Sequence, residues 1–182
     1  MNREEKFMKE ALKEAKKAYK KDEIPVGAVI VKDNKIIARA HNLKESKNNS
    51  ISHAEILVIQ KACKKLNSWR LLDCEMYVTL EPCSMCAGAL INSRIKKVYI
   101  GVTDEKTGAC GSKLNLLEDF KFNHIVEMEK YILKDECEKI LKDFFKNLRK
   151  RKKDIGKTIN NQKNNIYNFF ISISNFFSIY SN

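Results

Sequence analysis

No apolar signal core opens this chain. Met1-Asn2-Arg3-Glu4-Glu5-Lys6 carries acids, so it also lacks the acid-poor, arginine-rich character of a transit segment, and the expected location is the cytoplasm. A disulfide framework is missing too. Of six cysteines, at 63, 74, 83, 86, 110 and 137, only Cys83 and Cys86 share a tight spacing, and a reducing compartment keeps all six as thiols or metal ligands. The other four read as small buried hydrophobes. Acids are short against bases, 23 Asp and Glu to 35 Lys and Arg, a net charge of +12. Charge of that sign suits a polyanion, nucleic acid first and an anionic membrane second; it equally suits a solvated lysine-rich surface. No run is apolar enough to span a membrane. The uncharged, aromatic-rich piece 166–180 sets apolar residues on one helix face, but Asn and Ser interrupt it.

What is present is enough for one ordinary domain: 182 residues, 43% of them hydrophobic. Phe7, Met8, Ala11, Leu12, Ala15, Ala18 and Tyr19 recur at helical spacing, which predicts an amphipathic first helix. Gly27–Val31 and Ile36–Ala40 are short apolar runs joined through Asp33-Asn34, a hairpin signal. Leu43–Ile51 is a polar loop. A second helix is predicted from His53, with Ser52 as its N-cap and Glu55 able to close a capping box. Glu75–Leu80 and Lys96–Gly101 read as strands. A third helix lies between them, from Cys83 to about Asn92, with Pro82 starting it. A further strand is expected at Ile125–Met128, and a last helix from Leu133 to about Lys152. That helix ends in Lys146, Arg149, Lys150, Arg151, Lys152 and Lys153, more cations than complementing a helix dipole requires. The expected organisation is a domain over 1–153 and an extension over 154–182. The extension opens with a polar linker at 158–162 and ends in the aromatic piece, as a disordered or aggregation-prone tail or a membrane-surface helix.

Two stretches carry chemistry: Ser52-His53-Ala54-Glu55 and Glu81-Pro82-Cys83-Ser84-Met85-Cys86. One imidazole and two thiols form a soft, zinc-preferring set, and a catalytic zinc keeps a position open where a structural one is closed by a fourth protein ligand. Cys83 and Cys86 at a helix start face the same side one turn apart, and the positive helix end favours thiolates. A lone Cys-x-x-Cys also fits a redox pair; the His-x-Glu some thirty residues earlier turns the balance to metal. His53 and Glu55 diverge on a regular helix, so they converge on one ion only if the helix begins there. Glu55 is then the spare acid, a proton carrier beside a metal-activated water.

These residues form the H-x-E…P-C-x-x-C signature, and the chain resembles the zinc-dependent cytidine/adenosine deaminase superfamily. It resembles more closely the bacterial tRNA-specific adenosine deaminases. That likeness lies in Ile24-Pro-Val-Gly-Ala28, Ala40-His-Asn42, Ser68-Trp-Arg-Leu71, Tyr77-Val-Thr-Leu-Glu-Pro-Cys83, Met85-Cys-Ala-Gly88, Asp104, Lys106-Thr-Gly108, Gly111-Ser112 and Asp143-Phe-Phe145. The resemblance covers about residues 5–150. It implies an α/β fold, a three-layer α/β/α domain of cytidine-deaminase type with a central five-stranded mixed sheet, and conversion of the wobble adenosine of an anticodon to inosine. It implies one Zn2+ per subunit on His53, Cys83 and Cys86, with Glu55 as proton shuttle and no nucleotide cofactor. It also implies a homodimer with tRNA, through its anticodon stem-loop, across both subunits. Asn42 matches the base-contacting asparagine, Val26 lies in a matching stretch, and Asp104, Lys106, Phe145 and Arg149 sit where the family approaches RNA. One of Phe144 and Phe145 is expected in the helix core. The stretch beyond about 157 departs from the family.

Two other readings use the same residues. A free-base or nucleoside deaminase acting on guanine or cytosine has this zinc machinery but no need of a basic C-terminal helix. A non-catalytic RNA-binding zinc subunit has no use for Glu55.

Overall fold

The computed structural model describes residues 1–155 of the chain. The expected linker and aromatic piece lie outside the described residues. The chain divides into two compact units, Met1–Phe144 and a second that begins at Phe145.

The first unit opens with α1, Arg3–Lys20, whose N-cap Asn2 closes a capping box with Glu5. The hairpin strands β1, Gly27–Lys32, and β2, Lys35–His41, flank a two-residue turn with Asp33 and Asn34 both at positive φ, the conformation that matches strand twist. Then follow α2, Ala54–Leu66; β3, Glu75–Leu80; α3, Ser84–Asn92; β4, Lys97–Val102; and β5, Glu127–Lys130. The sheet order is β2-β1-β3-β4-β5, antiparallel across the first two pairings and parallel across the last two. The sheet is therefore mixed, as expected.

Alternation along the strands builds the layers. Ala28, Ile30, Met76, Val78, Val98 and Ile100 face α2 and α3, burying Ala54, Val58, Ala62, Ala87 and Leu90. Val29, Val31, Tyr77 and Tyr99 face the other way, onto Met8, Ala11, Leu12 and Cys137, with Tyr77 and Tyr99 stacked at 4.4 Å. Residues 134–144 are helical and supply Cys137, Ile140 and Leu141 to that second layer. Phe144 is buried and meets Tyr19 edge-on. Gly27 lets α1 lie close on β1: a Cβ there would fall on the Ala11 carbonyl and the Ala15 amide. In the second unit the described residues, 145–155, are helical and rich in exposed cations, and Phe145 is 38% exposed.

Three expectations shift. α2 is capped by His53, not Ser52, so no Ser52–Glu55 capping box forms; the Ser52 backbone instead ties down the loop, its carbonyl accepting from Leu43. α3 begins at Ser84 with Cys83 as N-cap, which leaves Pro82 one residue outside the helix, its carbonyl accepting from Ala109. β5 lies two residues later than its apolar run suggests, because Val98 pairs with Met128 while Ile125 is left 74% exposed.

Candidate active site

The N-termini of α2 and α3 bring the two stretches together. Ser, Thr, Asp and Asn usually fill N-cap positions by bonding backbone N–H groups. Here the caps are His53 and Cys83, and neither side chain makes such a bond. Extended backbone at His53 (φ −71°, ψ 153°) releases its ring from the helical spiral, which is how His53 and Glu55 face one site.

His53 Nδ1 lies 3.8 Å from Cys83 Sγ and 3.6 Å from Cys86 Sγ. A tetrahedral zinc with bonds of about 2.3 Å to sulfur and about 2.0–2.1 Å to nitrogen requires an N···S separation of about 3.6 Å. The donor set and its spacing therefore fit zinc. Among the described residues no fourth His, Cys, Asp or Glu joins this cluster. Cys86 is fully buried, and Cys83 and His53 are half-buried.

The electrostatics suit a cation. The hydrogen bond from the Cys86 thiol, opposed by burial and helped by His53, draws the Cys83 thiol down to about 4. Cys86 is held far above the usual thiol range by that same thiolate and by burial. His53 is raised, first by its hydrogen bond to Cys83. Glu55 is buried, and desolvation raises its pKa, with a hydrogen bond to Cys86 acting the other way.

A cavity of about 280 Å³ opens over these groups, lined by Val26, Asn42, Lys44, His53, Glu55, Leu80, Cys83, Asp104 and Thr107 among others. It lies near the small end of ligand pockets, roughly 300–1,000 Å³, a space for one compact ligand. Val26 and Asn42 are thus brought to the His53, Cys83 and Cys86 cluster from the start of β1 and the end of β2, linked by Asn42 N–H donating to the Val26 carbonyl at 3.0 Å. Asp104 also lines it, but its carboxylate is engaged locally, accepting from Lys106 N at 2.9 Å and from Thr107 Oγ1 at 2.6 Å. Lys106 is exposed. Phe145 and Arg149 belong to the second unit.

Several pocket residues carried little signal of a role in the sequence. Lys44 lies in a polar loop with ordinary neighbours, and Thr107 shows only inside the Lys106-Thr-Gly108 stretch. Glu81 shows only as part of the cysteine stretch, yet it is buried and accepts from Asp104 N, Cys110 N and Ser112 N at 2.9, 2.9 and 3.1 Å, and from the Ser112 hydroxyl. It thereby ties the loop bearing Asp104 and Thr107 to the turn before Cys83. Gly108 permits this, since a Cβ there would stand 2.5 Å from the Glu81 carboxyl carbon.

Comparison with known proteins points to deaminases. A family model for MafB19-like deaminases matches residues 1–149. The chain is 52% identical over 159 residues to a tRNA-specific adenosine deaminase of Bacillus subtilis (strain 168), spanning 87% of this chain and 99% of that protein. A solved structure from work on A-to-I editing by tRNA:A34 deaminases at the wobble position of transfer RNA superposes with a TM-score of 0.72 at 40% identity, covering 75% of this chain and 99% of the other. A guanine deaminase from Bacillus subtilis superposes with a TM-score of 0.53 at 42% identity, over 57% of this chain and 66% of its own.

Proposed function

The chain belongs to the MafB19-like deaminases and to the tRNA-specific adenosine deaminases, and on that premise we propose that it hydrolyses the wobble adenosine of a tRNA anticodon loop to inosine, releasing ammonia. The observation that carries the chemistry is the three-donor cup of His53, Cys83 and Cys86 with a buried Glu55 beside it. What favours tRNA over a free base is identity sustained over length: the tRNA deaminase structure matches 75% of this chain at 40% identity, whereas guanine deaminase structures match 57% at 42% or 77% at only 23%.

His53, Cys83 and Cys86 hold one zinc ion in this reading. The bound ion supplies the Lewis acidity that brings the pKa of a water to about 7. Glu55 carries the first proton of the attacking water to the purine ring nitrogen, where it stays, and then carries the second, from the hydroxyl added to the ring carbon, to the departing amine, which leaves as ammonia. Its burial, which raises the pKa, suits a group that must hold a proton as well as release one. Asn42 offers an amide donor and acceptor to the base edge, and Val26 packs against the base. An anticodon base is already unpaired, so seating it in the cavity requires no extraction from a duplex.

Around this centre we read a deaminase domain over 1–153 acting as a homodimer in the cytoplasm. Asp104, Lys106, Phe145 and Arg149 approach the RNA, and the basic end of the last helix faces phosphates. Asp104 contributes by shaping its loop more than by a free carboxylate, given its bonds to Lys106 and Thr107.

The test incubates zinc-loaded protein with an anticodon stem-loop bearing adenosine at the wobble position and assays inosine, beside Glu55→Ala and free adenine, guanine and cytosine. Inosine is expected in the RNA with wild type only. A deaminated free base with unaltered RNA would reverse the reading.

A further inference from the structure

Glu23 is 0% exposed, the most deeply buried carboxylate among the described residues. It stands between the end of α1 and the start of β1, and no lysine or arginine forms an ion pair with it among those residues. A buried charge without a counter-ion is tolerated only where hydrogen-bond donors surround it. Three do: Ser46 N at 2.6 Å on Oε1, and Glu45 N at 3.1 Å and Asn42 Nδ2 at 3.2 Å on Oε2.

An ionised carboxylate only accepts, so each neighbour is compelled to donate. For the two backbone groups nothing else was possible. Asn42 had a choice, because an amide fits its site nearly as well with oxygen and nitrogen exchanged. With Glu23 ionised, only one orientation is allowed: the NH2 turns to the carboxylate, and Oδ1 and the second N–H remain for whatever else Asn42 meets. Asn42 is 6% exposed and lines the cavity with His53, Glu55 and Cys83. Lys44, which lines it too, sits in the segment that Glu23 pins at 45 and 46.

We propose that Glu23 is a positioning residue for substrate recognition, locking the Asn42 amide in one orientation, so that the pocket presents one donor and acceptor pattern to the bound base. This rests on the reading of the cavity as the deaminase site. Glu23 touches no substrate; it acts through Asn42.

The test uses zinc-loaded full-length protein and the anticodon stem-loop. Glu23→Gln keeps the shape but puts an NH2 among three donors, freeing Asn42 to flip. KM should rise and kcat/KM fall about tenfold or more, with the zinc-to-protein ratio unchanged. Because Glu23 acts through Asn42, the double variant Glu23→Gln/Asn42→Ala should be no worse than Asn42→Ala alone. Wild-type kcat/KM in Glu23→Gln, or losses that multiply in the double variant, would overturn the proposal. Should Glu23→Gln not fold, wild type decides it: in 15N-labelled protein the Asn42 side-chain NH2 proton facing Glu23 should resonate downfield of exposed side-chain amides and exchange slowly with solvent, and an Asn42 NH2 with the shifts and exchange rate of a free amide would overturn it. A wild type that makes no inosine sinks the functional reading instead and leaves the exchange measurement to judge Glu23.

Discussion

His53 Nδ1 stands 3.6 Å from Cys86 Sγ although 33 residues of chain separate them. Two helix N-termini converge to make that contact, and both partners are donors that zinc prefers. Purified protein is expected to carry one zinc per chain by elemental analysis. Cys86→Ala should lose most of it and unfold at a lower temperature, because metal bound only by the folded chain adds to its stability. A Cys86→Ala protein still holding one zinc per chain would refute the ligand set.

Glu55 separates catalysis from metal binding. Glu55→Gln retains the side chain's shape and removes the proton carrier, so kcat should fall about 10²–10⁴-fold while zinc content stays at the wild-type value. Single-turnover deamination of the stem-loop, read beside elemental analysis, checks both halves. An equal loss of zinc would make Glu55 a structural partner of the cup.

The Glu14 carboxylate makes stability depend on acid. It is buried at the α1–β2 junction, with Lys17 Nζ at 2.6 Å and His41 Nδ1 at 2.9 Å. Burial opposes its ionisation, but those hydrogen bonds outweigh it and hold its pKa below the ordinary 4.5. A depressed folded pKa gives stability that is complete above the unfolded value and is lost as pH falls through the folded one. Urea midpoints should therefore drop as pH falls below about 4.5, and Glu14→Gln should flatten that drop. Parallel profiles for the two proteins would contradict it.

Gly27 tests the close approach of α1 to the sheet. Gly27→Ala drives a methyl into the α1 backbone, and the helix must move; overpacking of this kind costs about 1–3 kcal/mol. Denaturant unfolding measures it. An unchanged midpoint would mean that α1 slides on β1 without penalty.

Salt should weaken RNA binding steeply. With about three phosphates neutralised, a single-stranded loop loses about twentyfold in affinity between 50 and 200 mM salt. Titration of a fluorescent stem-loop reads the slope, and a flat response would remove the basic surface from recognition.

Much of the fold is legible in the chain because its signals are local. The α1 stripe, the Asp33-Asn34 turn and the strand alternation each need only neighbouring residues, and all appear in the structure. Helix starts were harder to read. Ser52 is a better N-cap by residue type than His53, yet the helix begins one residue later, and the Ser52 carbonyl ties Leu43 instead. The β5 offset has the same origin: pairing with β4 set the register, and the apolar run did not.

The residue types of the metal cup, and their grouping as His-x-Glu and Cys-x-x-Cys, were determined by the sequence alone, since soft ligands and a spare acid state their chemistry wherever they lie. Only the tertiary structure decided that His53 leaves the helical spiral, that Asn42 and Val26 reach the same cavity, and that Glu23 accepts a hydrogen bond from the Asn42 amide. Those relationships depend on burial and on hydrogen bonds between segments that the sheet brings side by side. A carboxylate's partners 19 to 23 positions along the chain leave no trace in spacing or composition.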